Sequence, residues 1–123
     1  MTGEDAYLNI EYSDNLLRIG IAGEVDHHSA RQLREKIDGL LVRYRPTLLV
    51  LDLDGVCFMD SSGLGLILGR LESAREVGCR LELTNVGERV MKILSLAGAK
   101  RISTLAITPK AVRQDETDKE KGR

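Results

Sequence analysis

The sequence predicts an α/β fold: a mixed, mostly parallel sheet of about five strands with an N-terminal antiparallel hairpin and three to four helices. Two observations predict the layers. Apolar residues spaced for a helix, as in Ala30, Leu33, Ile37, Leu40 and Leu41, alternate along the chain with short Leu-, Ile- and Val-rich runs that suit buried strands. The first two strand segments are separated only by the turn cluster Ser13-Asp14-Asn15, which makes them a hairpin. A third observation sets direction. Every later strand follows a helix, and helical crossovers join parallel neighbours with a right-handed sense.

Residues 7–12 alternate, with Leu8, Ile10 and Tyr12 on one side of an extended chain, and residues 16–22 form the second strand, closed by Gly23. The segment Glu24-Val25-Asp26-His27-His28 leads to Ser29-Ala30-Arg31-Gln32, whose first and last residues fit an S-x-x-Q capping box. A helix therefore starts there and runs to about Tyr44, stopping before Pro46. Leu48-Leu49-Val50-Leu51, followed by Asp52-Leu53, is apolar without alternation, which predicts a strand covered on both faces and broken at Gly55. A loop over residues 56–60 leads to a second helix over residues 62–76, ended by Gly78. Residues 80–84 alternate as a strand, residues 87–96 form a third helix closed at Gly98, and residues 102–107 form the last strand. Beyond Pro109 more than half the residues are charged, the composition of a short helix fraying into a disordered tail. The organisation expected is one domain over residues 1–108 and a tail over residues 109–123.

Composition removes several functions. The 123 residues suit one domain of typical size. The 18 Lys and Arg nearly balance 19 Asp and Glu, for a formal charge of −1, whereas a protein that binds nucleic acid directly normally carries a basic surface. Aromatic content of 3% with no Trp offers no stacking platform for bases. Two cysteines, Cys57 and Cys79, make neither a disulfide framework nor a four-Cys zinc site and read as reduced, buried thiols of a cytoplasmic protein. No signal peptide is visible, and no apolar stretch approaches the roughly 18 residues that span a bilayer.

In open α/β sheets the functional crevice lies beyond the carboxyl ends of the strands, and two segments sit there. One is Asp26-His27-His28-Ser29; the other is Met59-Asp60-Ser61-Ser62-Gly63-Leu64-Gly65. Asp60 and the serines are good helix starters, and beyond capping they place a hydroxyl pair where backbone N–H groups and the helix dipole welcome an anion. A phosphate on either serine would be accommodated. The spacing excludes a nucleophile elbow, because neither Ser61 nor Ser62 has glycine two residues before and after it. Gly63, Gly65 and Gly69 miss the dinucleotide fingerprint by one position, and no GK[ST] follows. His27 and His28 lack a third metal ligand at recognisable spacing, so no metal is expected. Asp26 is placed either to pair with an arginine of a partner or to cap its own helix. On the second helix Leu64, Ile67, Leu68 and Leu71 form a core stripe, Leu66 and Arg70 fall off it toward the exposed side, and Gly65 and Gly69 make a strip where another backbone approaches closely.

Phe58-Met59-Asp60-Ser61-Ser62-Gly63-Leu64-Gly65, preceded by Leu51-Asp52-Leu53, resembles the signature of STAS-domain anti-sigma factor antagonists. Gly23-Glu24-Val25-Asp26-His27-His28-Ser29-Ala30 resembles the second block of the stage II sporulation sigma-F branch, and the similarity covers residues 7–108. The resemblance implies a STAS fold and a cytoplasmic, non-enzymatic partner switch, monomeric when free, without cofactor, nucleic acid or membrane. In that family the unmodified antagonist binds an ATP- or ADP-bound anti-sigma factor that is also a serine kinase, and the sigma factor is released. The kinase then phosphorylates the first serine of the Asp-Ser-Ser-Gly run, here Ser61, which blocks binding until a serine phosphatase resets it. The family's partner surface would carry over to Asp26, His27, Ser29, Asp60, Ser61, Ser62, Gly63, Leu64, Leu66 and Arg70. Two other readings stay open: an antagonist in a stress-response circuit, and a nucleotide-binding protein using the Ser-Gly turn. Ala99-Lys100-Arg101 departs from the more apolar stretch common in the family.

Overall fold

The computed structural model describes residues 7–111. It is a five-stranded sheet in the order β1-β2-β3-β4-β5, formed by β1 (Tyr7–Ser13), β2 (Leu16–Val25), β3 (Leu48–Met59), β4 (Arg80–Val86) and β5 (Leu105–Pro109). The β1-β2 pair is antiparallel and the other three pairs are parallel. Asp14 and Asn15 turn the hairpin with φ of 52° and 65°, the doubly left-handed conformation of a tight two-residue turn whose twist matches the strands. The helices α1 (His27–Tyr44), α2 (Ser61–Glu76) and α3 (Glu88–Leu96) make the crossovers, with a 3₁₀ turn at Ala99–Arg101.

All three helices lie on one face of the sheet, so the expectation of a strand covered on both faces is corrected. Leu17, Ile19 and Ile21 of β2, Leu49, Leu51 and Leu53 of β3, and Leu81 and Leu83 of β4 form one buried cluster with residues from each helix, among them Ile37, Ile67 and Leu94. On the opposite face Asp52 pairs with Arg18 at 2.9 Å and accepts a hydrogen bond from Asn85 at 2.9 Å. Val50 made β3 look doubly buried: it lies on this polar face yet is 4% exposed, between its register neighbours Arg18 and Glu82. The long side chains of such residues carry apolar stems that shield a neighbour from water. Burial alone would raise the Asp52 pKa, but hydrogen bonds from Asn85, the Asp54 N–H and Arg18 outweigh it and hold the carboxyl below its ordinary value.

Several boundaries also move. Neither Gly23 nor Gly55 ends a strand: β2 and β3 continue, with register shifts, until Val25 pairs with Met59, so the expected loop over residues 56–60 is largely strand. Glycine is needed at position 55 because a Cβ there would lie 2.8 Å from that of Ala22. The last strand sits a few residues later than expected, since the 3₁₀ turn occupies the chain before it. Cys79 is buried, which pushes its thiol pKa up, but Cys57 is exposed on the β3 extension, against the expectation of two buried thiols. The expected tail helix lies largely outside the described residues.

Candidate functional site

The extension of β2 and β3 sets the starts of α1 and α2 side by side. Val25 and Met59 are register partners, the Asp60 N–H donates to the Val25 carbonyl at 3.3 Å, and each strand is followed at once by an aspartate that caps a helix.

At α1 the cap is Asp26 rather than Ser29, so the expected S-x-x-Q box is replaced by one starting three residues earlier. Asp26 Oδ1 accepts from the backbone N–H groups of His28 at 2.9 Å and Ser29 at 3.0 Å, and the Asp26 N–H donates back to Ser29 Oγ at 3.1 Å. The Ser29 hydroxyl donates to the Glu24 carbonyl at 2.8 Å, and the residue is only 6% exposed. The structure thus makes Ser29 part of the internal scaffold of this corner. The Ser29 N–H bond above all holds the Asp26 carboxyl below its ordinary pKa; burial opposes it, and the His28 N–H, the Ser29 hydroxyl and the charge of His28 add to the lowering. Of the two roles open to Asp26, capping is realised through Oδ1, while no hydrogen bond occupies Oδ2 among the described residues.

At α2 the cap is Asp60, whose Oδ1 accepts from the Ser62 N–H at 2.8 Å. Ser61, the first helical residue, is exposed, and its hydroxyl has no hydrogen bond among the described residues, whereas Ser62 is half-buried. Gly63 is buried against Met59, and a Cβ there would collide with the Met59 side chain and approach Val25 Cγ1 to 3.0 Å. Glycine at this position lets the first turn of α2 sit down on the ends of both strands.

The expectation that Leu66 and Arg70 face outward is corrected: they are 5% and 6% exposed. α1 packs along that side of α2 and closes it. Arg70 Nη1 pairs with Asp38 Oδ1 of α1 at 2.6 Å; Arg70 is nearly enclosed while Asp38 keeps 42% of its side chain in solvent. Burial lowers the Arg70 pKa, Asp38 opposes that shift and Arg34 adds to it. Arg70 Nε is buried without a partner among the described residues.

Between the two helices lies a groove of about 470 Å³ lined by His27, Arg31, Arg34, Ser62, Leu66 and Arg70, with Gly65 and Gly69 along one wall. Four of the expected partner-surface residues, His27, Ser62, Leu66 and Arg70, therefore meet here, while Asp26, Asp60 and Ser61 crown the helix starts above them and Leu64 is half-buried. Sequence reading missed Arg31, Arg34 and Asp38. Their signal was available, because they recur at intervals of three and four residues on one face of α1. The strip at Gly65 and Gly69 is not a site of close internal approach, since a Cβ at either meets nothing within 4 Å. Among the described residues no cluster of His, Cys, Asp and Glu is arranged to hold a metal, and no helix is long and apolar enough to cross a membrane.

The STAS domain family profile matches residues 7–112. The anti-sigma F factor antagonist of Lysinibacillus sphaericus is 38% identical over 80 residues, covering 65% of this chain and 68% of that protein. The anti-sigma-B factor antagonist of Bacillus subtilis (strain 168) is 34% identical over 95 residues, covering 77% of this chain and 85% of that protein. The fold is also that of the solved anti-sigma factor antagonist SpoIIAA. Its unphosphorylated form superposes with a TM-score of 0.65 at 26% identity, over 95% of this chain and 100% of that one. The phosphorylated form from Bacillus gives 0.65 at 27% identity, over 93% and 99%.

Proposed function

The chain belongs to the STAS domain family, and from that premise we propose that it is an anti-sigma factor antagonist switched by phosphorylation of Ser61. Unmodified, it binds an ATP- or ADP-bound anti-sigma factor that is also a serine kinase, and the sigma factor is released. The Ser61 hydroxyl then attacks the γ-phosphorus of ATP held by the partner, ADP leaves, and the serine proton is lost to solvent or to a partner base. A serine phosphatase hydrolyses the ester and restores binding. The antagonist itself catalyses nothing, needs no cofactor, works as a cytoplasmic monomer, and touches neither DNA nor membrane.

The observation that carries this reading is the placement of Ser61: exposed, first in α2, and unencumbered, while Ser62 beside it is half-buried with its N–H tied to Asp60. That difference favours Ser61 as the acceptor, a choice that spacing alone leaves open. A phosphate adds about −1.5 to −2 charges. Within the free protein the dipole of α2 tolerates it. At an interface, unit charges ~4 Å apart interact by about 4 kcal/mol, so repulsion from partner carboxylates or nucleotide phosphate weakens binding roughly a thousandfold. The switch acts on the contact and leaves the fold alone.

Incubation with the kinase and labelled ATP tests the assignment. Label should map to Ser61 and vanish in Ser61→Ala, which still binds; label persisting on that variant refutes the site. The anti-sigma-B factor antagonist, 34% identical over 95 residues, matches about as well as the sigma-F relatives and keeps a stress-response circuit as the second reading. Side-by-side titration with a sigma-F-type and a sigma-B-type kinase separates the two.

A further inference from the structure

We infer that the groove between α1 and α2 is a slot for an acidic segment of the protein partner, a contact additional to the serine switch and resting on the partner-binding reading above. The groove's charge is the first reason. Arg31, Arg34 and Arg70 line it, on a protein whose formal net charge is −1. Internal acids neutralise only part of this: Glu35 lies 4.0 Å from Arg31 in an exposed pair, Asp38 is taken up by Arg70, and Arg34 has no ion-pair partner among the described residues. The open end reaches Ser62 in the first turn of α2, where the helix dipole adds positive potential.

Shape is the second reason and is independent of charge. Gly65 and Gly69 stand one turn apart on the groove wall inside a helix, where glycine is weaker than alanine, and no internal contact requires them. What they preserve is space. An incoming backbone can lie against α2 only while those positions carry no side chain. From Ser62 to Gly69 the helix rises roughly 10 Å, the reach of about three extended residues and more than one phosphate needs. Buried Arg70, with an unpartnered Nε, lines the floor. The occupant that matches length and charge together is a short peptide segment rich in Glu or Asp.

The test titrates the full chain, labelled with ¹⁵N, with acetyl-tetraglutamate amide at low salt, with tetraglutamine amide and inorganic phosphate as controls. Tetraglutamate should shift the amides of Ser62, Gly65 and Gly69 and of the Arg31–Arg34 turn, and the shifts should collapse at high salt and in Arg31→Glu/Arg34→Glu. Equal shifts with tetraglutamine, or undiminished shifts in the charge-reversed variant, overturn the proposal; phosphate binding as well as the peptide would make the slot a small-anion site and overturn it too. In a second arm, Gly65→Ala/Gly69→Ala should raise the urea midpoint while weakening the kinase that labels Ser61 about tenfold, and unchanged affinity would count against the slot. Failure of the wild type to bind or be labelled strikes at the proposed function instead, and the peptide titration still reads the groove.

Discussion

The starts of α1 and α2 are neighbours at the same end of the sheet, beyond adjacent strands, and they are finished differently. At α1, Asp26 and Ser29 answer each other and Glu24, so polar groups of the turn are paired inside the protein. At α2, Asp60 makes a single side-chain cap to Ser62 and Ser61 is left in solvent. A helix start needs some cap, because its first N–H groups have no partner within the helix. It does not need an unpaired hydroxyl. The difference separates a corner whose polar groups are paired internally from one that leaves a hydroxyl in solvent, as the proposed switch requires.

The largest effect that would break this comparison is at Ser61 itself. Stoichiometric phosphorylation should weaken kinase binding roughly a thousandfold by calorimetry, with amide shifts confined to the start of α2 and its surroundings. At Ser29 the balance should be the reverse: Ser29→Ala should lower stability by about 1 kcal/mol in urea unfolding and change binding through the shape of the corner alone. A Ser61→Asp variant that binds like the wild type would erase the distinction.

Next in size is the tie between the helices. Asp38→Ala leaves the Arg70 charge nearly enclosed and unpaired, and should cost about 1–3 kcal/mol by chemical denaturation, reduced from the value of a fully buried pair because Asp38 is half in water. Gly63→Val should cost a similar amount by forcing Met59 and Val25 apart. Smaller again, Asp26→Ala should lower the urea midpoint more than Asp60→Ala, since it releases two backbone donors against one.

The smallest effect is with pH. Asp26 and Asp52 have folded pKa values below those of the unfolded chain, so their contribution is complete above the ordinary carboxylate value of about 4 and is lost as pH falls through the lower folded values. Stability should therefore hold near neutrality and drop on acidification below about pH 4. Asp26→Asn keeps a capping oxygen and should flatten part of that drop, measured as urea midpoint against pH.

Much of this was legible beforehand. Alternation and helical spacing placed each strand and helix to within a few residues, and Ser13-Asp14-Asn15 marked the hairpin. Less legible were Gly23 and Gly55, which look like strand ends in sequence. They are points where two paired strands shift register and carry on, and only the partner strand reveals that. Val50 misled for a related reason: an apolar residue in a strand reports that it is shielded and says nothing of whether a helix or a neighbouring strand's side chains shield it.

By itself the sequence determined the order of elements, the two helix starts beyond the strand ends, and the resemblance that names Ser61, because periodicity, capping chemistry and motif are local properties. Tertiary structure alone decided which side of α2 is closed. A helix of 16 residues has no inside until another helix lies on it; α1 does so along Leu66 and Arg70, buries a charge there against Asp38, and leaves between the two helices a cationic groove that no single segment contains.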